Sequence, residues 1–157
     1  MTELRLSEFN SADPGRIRPV LHECLPVPRW VDAVLTGRPY PDRDALLRAA
    51  DLTLRADEIH AAMRAHPRIG ERPASGPAST EQSGVDTEAA ERFRAANAEY
   101  ERRFGHVYLV CASGRTGDEL LADLRARLGN DPGTELAVAG RELVRIARLR
   151  LERAVPA

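Results

Sequence analysis

Lysine is absent: all 23 basic residues of the chain are arginines. No side-chain amine can therefore form a Schiff base with a carbonyl substrate or with pyridoxal. The same fact weakens every arginine as a marker, because arginine must fill all basic roles, solvated faces included. Aromatics are only 4% of residues, so Leu, Val and Ala must fill most of the core. The two cysteines, Cys24 and Cys111, make no disulfide framework and no metal-type spacing. No apolar run approaches the roughly 20 residues that cross a bilayer, so no membrane partner is expected. The opening residues, Met1-Thr2-Glu3-Leu4-Arg5, lack the basic-then-apolar layout of a secretory signal, and a reducing cytoplasm is the expected location. A net charge of −1 argues against a nucleic-acid-binding surface. HExxH, CxxC, an aspartate cluster, a Gly-rich phosphate loop, a dinucleotide fingerprint and a GxSxG elbow are all missing. Neither a metal nor a cofactor is expected.

What is present reads as helix. A length of 157 residues, 43% of them hydrophobic and 30% charged, suits a single globular domain spanning 1–157. Periodicity and punctuation predict an all-α bundle of about seven to eight helices. Asp13-Pro14 caps a segment within Leu6 to Leu25, and Pro19 predicts a kink or break there. His22 on that segment belongs to the surface or its rim. Pro26-Val27-Pro28 is a break, and Trp30 is a core plug in the short run after it. Gly37 to Pro41 is a turn. Asp42 or Asp44 then caps one long helical run ending near His66.

At about 100° per residue, Ile59, Ala62 and Met63 share one stripe of that run, and His66 falls within about 20° of its centre. His66 should face inward and His60 outward. Pro67 stops the helix at His66, and Gly70 permits a sharp turn. Arg72 to Ala78 is a loop. Downstream, Ser79-Thr80-Glu81-Gln82 opens the next run. Two readings stand for this stretch: a capping box of Ser79 and Gln82 closing a helix start, or a His, a Glu and a Gln set on element ends for acid–base work.

Asp86 caps a helix carrying Ala89, Phe93, Asn97, Tyr100 and Phe104 at helical spacing, and Gly105 ends it. His106 to Ala112 is strand-like but has no partner run, so an extended buried segment near 106–112 is expected, its free backbone groups suited to a ureido or amide edge. Asp118 to Leu128 is a helix. The last, opened by Asp131-Pro132, continues to about Val155 with a stripe of Leu136, Ala139, Leu143, Ile146, Ala147 and Leu151. Arg150 falls about 40° from Leu136, inside the stripe, whereas Arg141, Arg145 and Arg148 fall outside it. A buried guanidinium needs a partner, a structural carboxylate or an anionic substrate. His66, Glu81 with Gln82, and Arg150 together fit proton transfer on a small anion: a bidentate clamp from the arginine and a proton carried by the imidazole.

Five blocks, in order, resemble one family. His66-Pro67-Arg68-Ile69-Gly70, Glu81-Gln82-x-Gly84, Asn97-x-x-Tyr100-x-x-x-Phe104-Gly105, Arg127-Leu128-x-Asn130-Asp131 and Ile146-x-x-Leu149-Arg150-Leu151 look like the signature blocks of 2-oxo-4-hydroxy-4-carboxy-5-ureidoimidazoline (OHCU) decarboxylases. Phe9-Asn10, Trp30 and Arg38-Pro39 agree with them. The resemblance implies an all-helical, cofactor-free enzyme, commonly a homodimer, that converts the anionic ureidoimidazoline to (S)-allantoin and CO2 as the last step from urate. It implies catalytic roles for His66 and Glu81. Substrate contacts would come from Pro67, Gln82, Arg150 and the backbone of Tyr108 to Ala112, with Leu109 and Ala112 as its contact points. One position departs. The family usually has Ser three residues before the Glu, where this chain has Ala78; Ser79, one place later, either substitutes or that hydrogen bond is lost. Two rivals remain: a paralogue of the same fold acting on another ureido or imidazole compound, and a non-catalytic helical module whose His66 and Arg150 are core residues.

Overall fold

The computed structural model describes residues 3–65 and 87–157. Eight helices and no strand occur among the described residues, as the all-α expectation requires. The chain divides into two compact units, one of 1–65 with 140–157 and one of 66–139.

The first unit holds α1 (Leu6–Ser11), α2 (Pro14–Cys24), α3 (Pro28–Thr36), α4 (Arg43–Ala49) and α5 (Ala56–Arg64), with the later turns of the last helix, α8 (Pro132–Ala154). Its core is Phe9, Ile17, Leu21, Trp30, Val34, Leu46, Ile59, Ala62, Leu143, Ala147 and Leu151, all buried. The stripe of Ile59, Ala62 and Met63 is inside and His60 outside, as phase predicts. Gly140 lets α5 approach α8, since a Cβ there would lie 2.7 Å from the Ile59 side chain.

The amino-terminal motif residues act on backbone. Asn10 donates to the Tyr40 carbonyl at 3.0 Å and accepts the Tyr40 N–H at 2.8 Å. Arg38 donates to the carbonyls of Phe9 and Ala12 at 2.9 and 2.7 Å, satisfying acceptors that the end of α1 leaves open.

Two helix boundaries in this unit differ from expectation. Pro19 does not break α2: the helix runs from Pro14 to Cys24 with Pro19 inside. An interior proline costs about 3 kcal/mol, whereas fully burying Ile17 and Leu21 from the same helix contributes about 1.5–3 kcal/mol each. The run from Asp42 is also not continuous. α4 ends at Ala49 and α5 starts at Ala56. Tertiary donors explain the gap. Trp30 Nε1 takes the Ala50 carbonyl at 2.8 Å, and Arg29 takes the Thr53 carbonyl at 2.8 Å. A continuous helix needs both carbonyls for its own ladder.

The described part of the second unit holds α6 (Thr87–Phe104), α7 (Gly117–Arg127) and the first turns of α8. α6 packs on α7 around Ala96, Tyr100, Tyr108, Val110, Leu121 and Leu124, with Phe93, Phe104, Leu120 and Leu128 against them. Tyr100 meets Phe104 at 4.7 Å between ring centroids and Tyr108 edge-on at 5.4 Å. Gly105 ends α6 in the left-handed region at φ 75°, where a Cβ is disfavoured. Residues 106–112 come next as the expected segment outside helix and sheet, with Tyr108, Leu109 and Val110 buried.

The stripe of α8 is partly as expected. Ala139, Leu143, Ala147 and Leu151 are buried; Leu136 and Ile146 are only half-buried, and Glu135 is fully buried instead. Arg141 and Arg145 are exposed, but Arg148, expected outside, is half-buried like Arg150. A helix packed on several neighbours buries more than one narrow stripe.

Candidate active site

His66, Pro67, Ser79, Glu81 and Gln82 lie outside the described residues, as do the Arg72 to Ala78 loop and the Asp86 cap. Leu109 and Ala112 belong to the second unit and Arg150 to the first. His22 is exposed on α2.

Arg150 is half-buried on α8. Its Nη1 points at the carbonyls of Glu23 and Cys24, at 3.3 and 3.5 Å. Cations are favoured at a helix C-terminus, where carbonyls lack partners. Both contacts are long and use one nitrogen of a group with five N–H donors. The neighbouring Cys24 thiol is pushed up to about 11 by burial, with Arg150 pulling down and Glu23 pushing up. It stays protonated near neutrality, and so is no nucleophile.

Leu109 is 2% exposed and Ala112 is exposed. Their carbonyls are not idle, contrary to the expectation of free backbone along this segment. Leu109 O accepts from Arg127 Nη1 at 2.7 Å, and Ala112 O accepts the Arg115 N–H at 3.1 Å.

Arg127 opens onto a polar cluster that sequence reasoning assigned no role. Its side chain is 6% exposed and that of Glu135 is 0%. Nη2 and Nε reach Glu135 Oε2 at 2.6 and 2.9 Å. Nη1 also lies 3.4 Å from Asp123. The Tyr100 hydroxyl donates to Glu135, and Asn130 donates to it at 3.2 Å. Tyr108 donates to Asp123 at 2.5 Å, and the guanidinium lies 4.7 Å from the Tyr108 ring centroid. Glu135 sits in the first turn of α8, where the helix dipole favours a negative charge.

The electrostatics follow from burial and pairing. Burial opposes the Arg127 charge, but the hydrogen bond and charge of Glu135 outweigh it and hold the guanidinium above its ordinary value. Burial raises Tyr100, and Glu135 raises it further; burial and then Asp123 do the same for Tyr108. Both phenols stay neutral donors. Removing one partner of a buried ion pair typically costs about 3–5 kcal/mol, so this cluster is integral to the unit. Helical spacing accounts for it once the burial is known. Arg127 lies three residues after buried Leu124, and Glu135 one turn before buried Ala139.

No group of three or more His, Cys, Asp or Glu side chains fit to hold a metal occurs among the described residues. No helix among them is long and apolar enough to cross a membrane.

Comparison with known proteins gives a consistent result. The profile of the OHCU decarboxylase family matches residues 10–152. The uric acid degradation bifunctional protein TTL of Arabidopsis thaliana is 28% identical over 142 residues; the match covers 82% of this chain and 44% of that longer protein. The 2-oxo-4-hydroxy-4-carboxy-5-ureidoimidazoline decarboxylase of Amia calva is 32% identical over 133 residues, covering 76% of each chain. A crystal structure of OHCU decarboxylase in the presence of (S)-allantoin superposes with a TM-score of 0.67 at 29% identity, covering 83% of this chain and 93% of the other.

Proposed function

Because the chain belongs to the OHCU decarboxylase family, with the family profile matching residues 10–152, we propose that it removes CO2 from 2-oxo-4-hydroxy-4-carboxy-5-ureidoimidazoline to give (S)-allantoin, as a carboxy-lyase of urate degradation. The profile match carries this reading, and the length of the alignment with the Amia calva decarboxylase supports it.

The substrate supplies its own electron sink. Carboxylate and hydroxyl share one ring carbon, and the adjacent atom is doubly bonded to nitrogen. When the carbon–carboxylate bond breaks, its electron pair enters the C=N and CO2 departs. No amine or thiazolium is needed, in keeping with a chain that has no lysine. In this reading His66 takes or relays the hydroxyl proton, the proton transfer to which an imidazole is suited. Glu81 holds the ring and stabilises the imidazolium, and Pro67 packs beside it. Arg150 grips the carboxylate through its fork and sets the breaking bond perpendicular to the ring plane, where it overlaps the π system. Gln82, Ser79 and the backbone at Leu109 and Ala112 meet the ureido and ring amides. A proton delivered to one face then fixes the S centre. The active form is a cofactor-independent, cytoplasmic homodimer of a single 1–157 domain.

The test is stereochemical. Freshly made substrate decays unaided to racemic allantoin, so circular dichroism of the product separates catalysis from background. The wild type should accelerate decay and yield the S enantiomer. His66→Ala should abolish acceleration while the helical signal survives; an unchanged rate removes His66 from the mechanism. Arg150→Lys keeps charge and loses the fork, and kcat/KM should fall about tenfold or more. A near-normal value counts against the clamp.

A further inference from the structure

Leu109 O is gripped by Arg127 Nη1 at 2.7 Å, so the 109–112 backbone, which meets the substrate in the proposed function, is itself held from behind. Arg127 is in turn fixed from three sides. Glu135, in the first turn of α8, receives Nε and Nη2. Asp123, one turn back on α7, lies 3.4 Å from Nη1. The Tyr108 ring, on the segment itself, lies under the guanidinium. Tyr100 and Asn130 hold Glu135, and Tyr108 holds Asp123. One guanidinium therefore commits its Nε, Nη1 and Nη2 to a carboxylate and one particular carbonyl.

The consequence runs through peptide geometry. The Leu109–Val110 bond is trans, since the only cis bond among the described residues is Arg38–Pro39. In a planar trans peptide the C=O and the next N–H point in opposite directions. Fixing Leu109 O against Arg127 therefore aims the Val110 N–H away from the buried cluster, on the opposite edge of the segment. We propose that Arg127 is a positioning residue for the decarboxylation: by holding the Leu109 carbonyl it sets the direction of the backbone amides that receive the ureido and ring groups of the substrate. This role rests on the decarboxylase reading of the chain. Arg127 itself touches no reacting atom. Lysine cannot replace it, because one ammonium cannot present parallel N–H groups to Glu135 and still reach Leu109.

The two roles, structural and positioning, separate in kinetics. A purely structural lesion lowers the amount of folded enzyme and leaves KM unchanged. A loosened substrate edge weakens ground-state and transition-state binding alike, so KM rises with little change in kcat. The full-length wild type, Arg127→Lys and Tyr108→Phe are compared, with folded fraction measured by circular dichroism and (S)-allantoin affinity by calorimetry. Arg127→Lys should raise KM about tenfold or more, with kcat per folded molecule within about threefold, and weaken (S)-allantoin by a similar factor. Tyr108→Phe keeps the ring in the core and removes its hydrogen bond to Asp123; it should raise KM by about threefold. If Arg127→Lys does not fold, Tyr108→Phe decides alone. Folded variants with unmoved KM and unmoved (S)-allantoin affinity overturn the inference while an active wild type leaves the decarboxylase reading standing. A wild type that neither accelerates decay of the substrate nor binds (S)-allantoin overturns that reading, and this inference with it.

Discussion

Glu58 shows how much one carboxylate can do in a chain without lysine. Arg29 forks onto it at 2.8 and 3.0 Å, and it also accepts the Arg55 N–H that opens α5. The Arg29 hydrogen bond, ahead of burial working the other way and the Arg55 amide, holds its carboxyl below the usual range. A folded-state value below the unfolded one means that the stabilisation is fully present above the unfolded pKa of about 4.3 and is lost as pH falls through the folded value. Urea unfolding of wild type and Glu58→Gln should thus differ most near neutrality, and the gap should narrow on acidification below about pH 4.5. A gap independent of pH would remove the ion pair as its cause. At this scale the sequence hid as much as it showed. His60 and the stripe around Ile59 were legible because hydrophobic period reports them directly. Arg127 and Glu135 were not. An acidic residue in a first turn reads as a solvated dipole partner, and an arginine among 23 arginines carries no signal of its own. Only the block in which Arg127 stands marked it.

At the scale of elements, end signals decide the helices. The Asp42 carboxylate accepts the Ala45 N–H at 2.8 Å, and Thr116 does the same for Glu119 at 3.1 Å. Replacing Asp42 by Ala should cost about 1 kcal/mol, a fall in Tm of about 2–4 °C for a chain of this size. Thermal unfolding by circular dichroism checks it, and an unchanged Tm would mean that packing alone sets the start of α4. Carbonyl ends are closed by arginine rather than by glycine alone. Arg38 closes α1, Arg150 reaches the end of α2, and Arg43 donates to the carbonyls of Glu152 and Val155 at 2.9 Å each. Such long-range caps explain where sequence reasoning faltered. The start at Pro14 and the stop at Gly105 are local, and they were legible. The gap between α4 and α5 is made by donors on α3, so nothing within 42–66 announces it.

At the scale of the whole molecule, composition already constrains chemistry. With lysine missing from all 157 positions, borohydride added during turnover should trap no side-chain adduct, and the intact mass should stay unchanged. A trapped adduct on a side chain would contradict decarboxylation through the substrate's own C=N. The all-helical class and the family were readable because blocks in a fixed order along 10–152 are far more specific than any single motif. The division into two compact units was not readable, since α8 crosses from one to the other without a break in its pattern. The lone indole makes that division accessible to light. Trp30 is wholly enclosed in the first unit, its N–H tied to Ala50, while the second unit carries no tryptophan. Red-edge excitation therefore reads emission from one half of the protein only, and comparing its melting curve with the ellipticity of the whole chain reveals whether the halves come apart together.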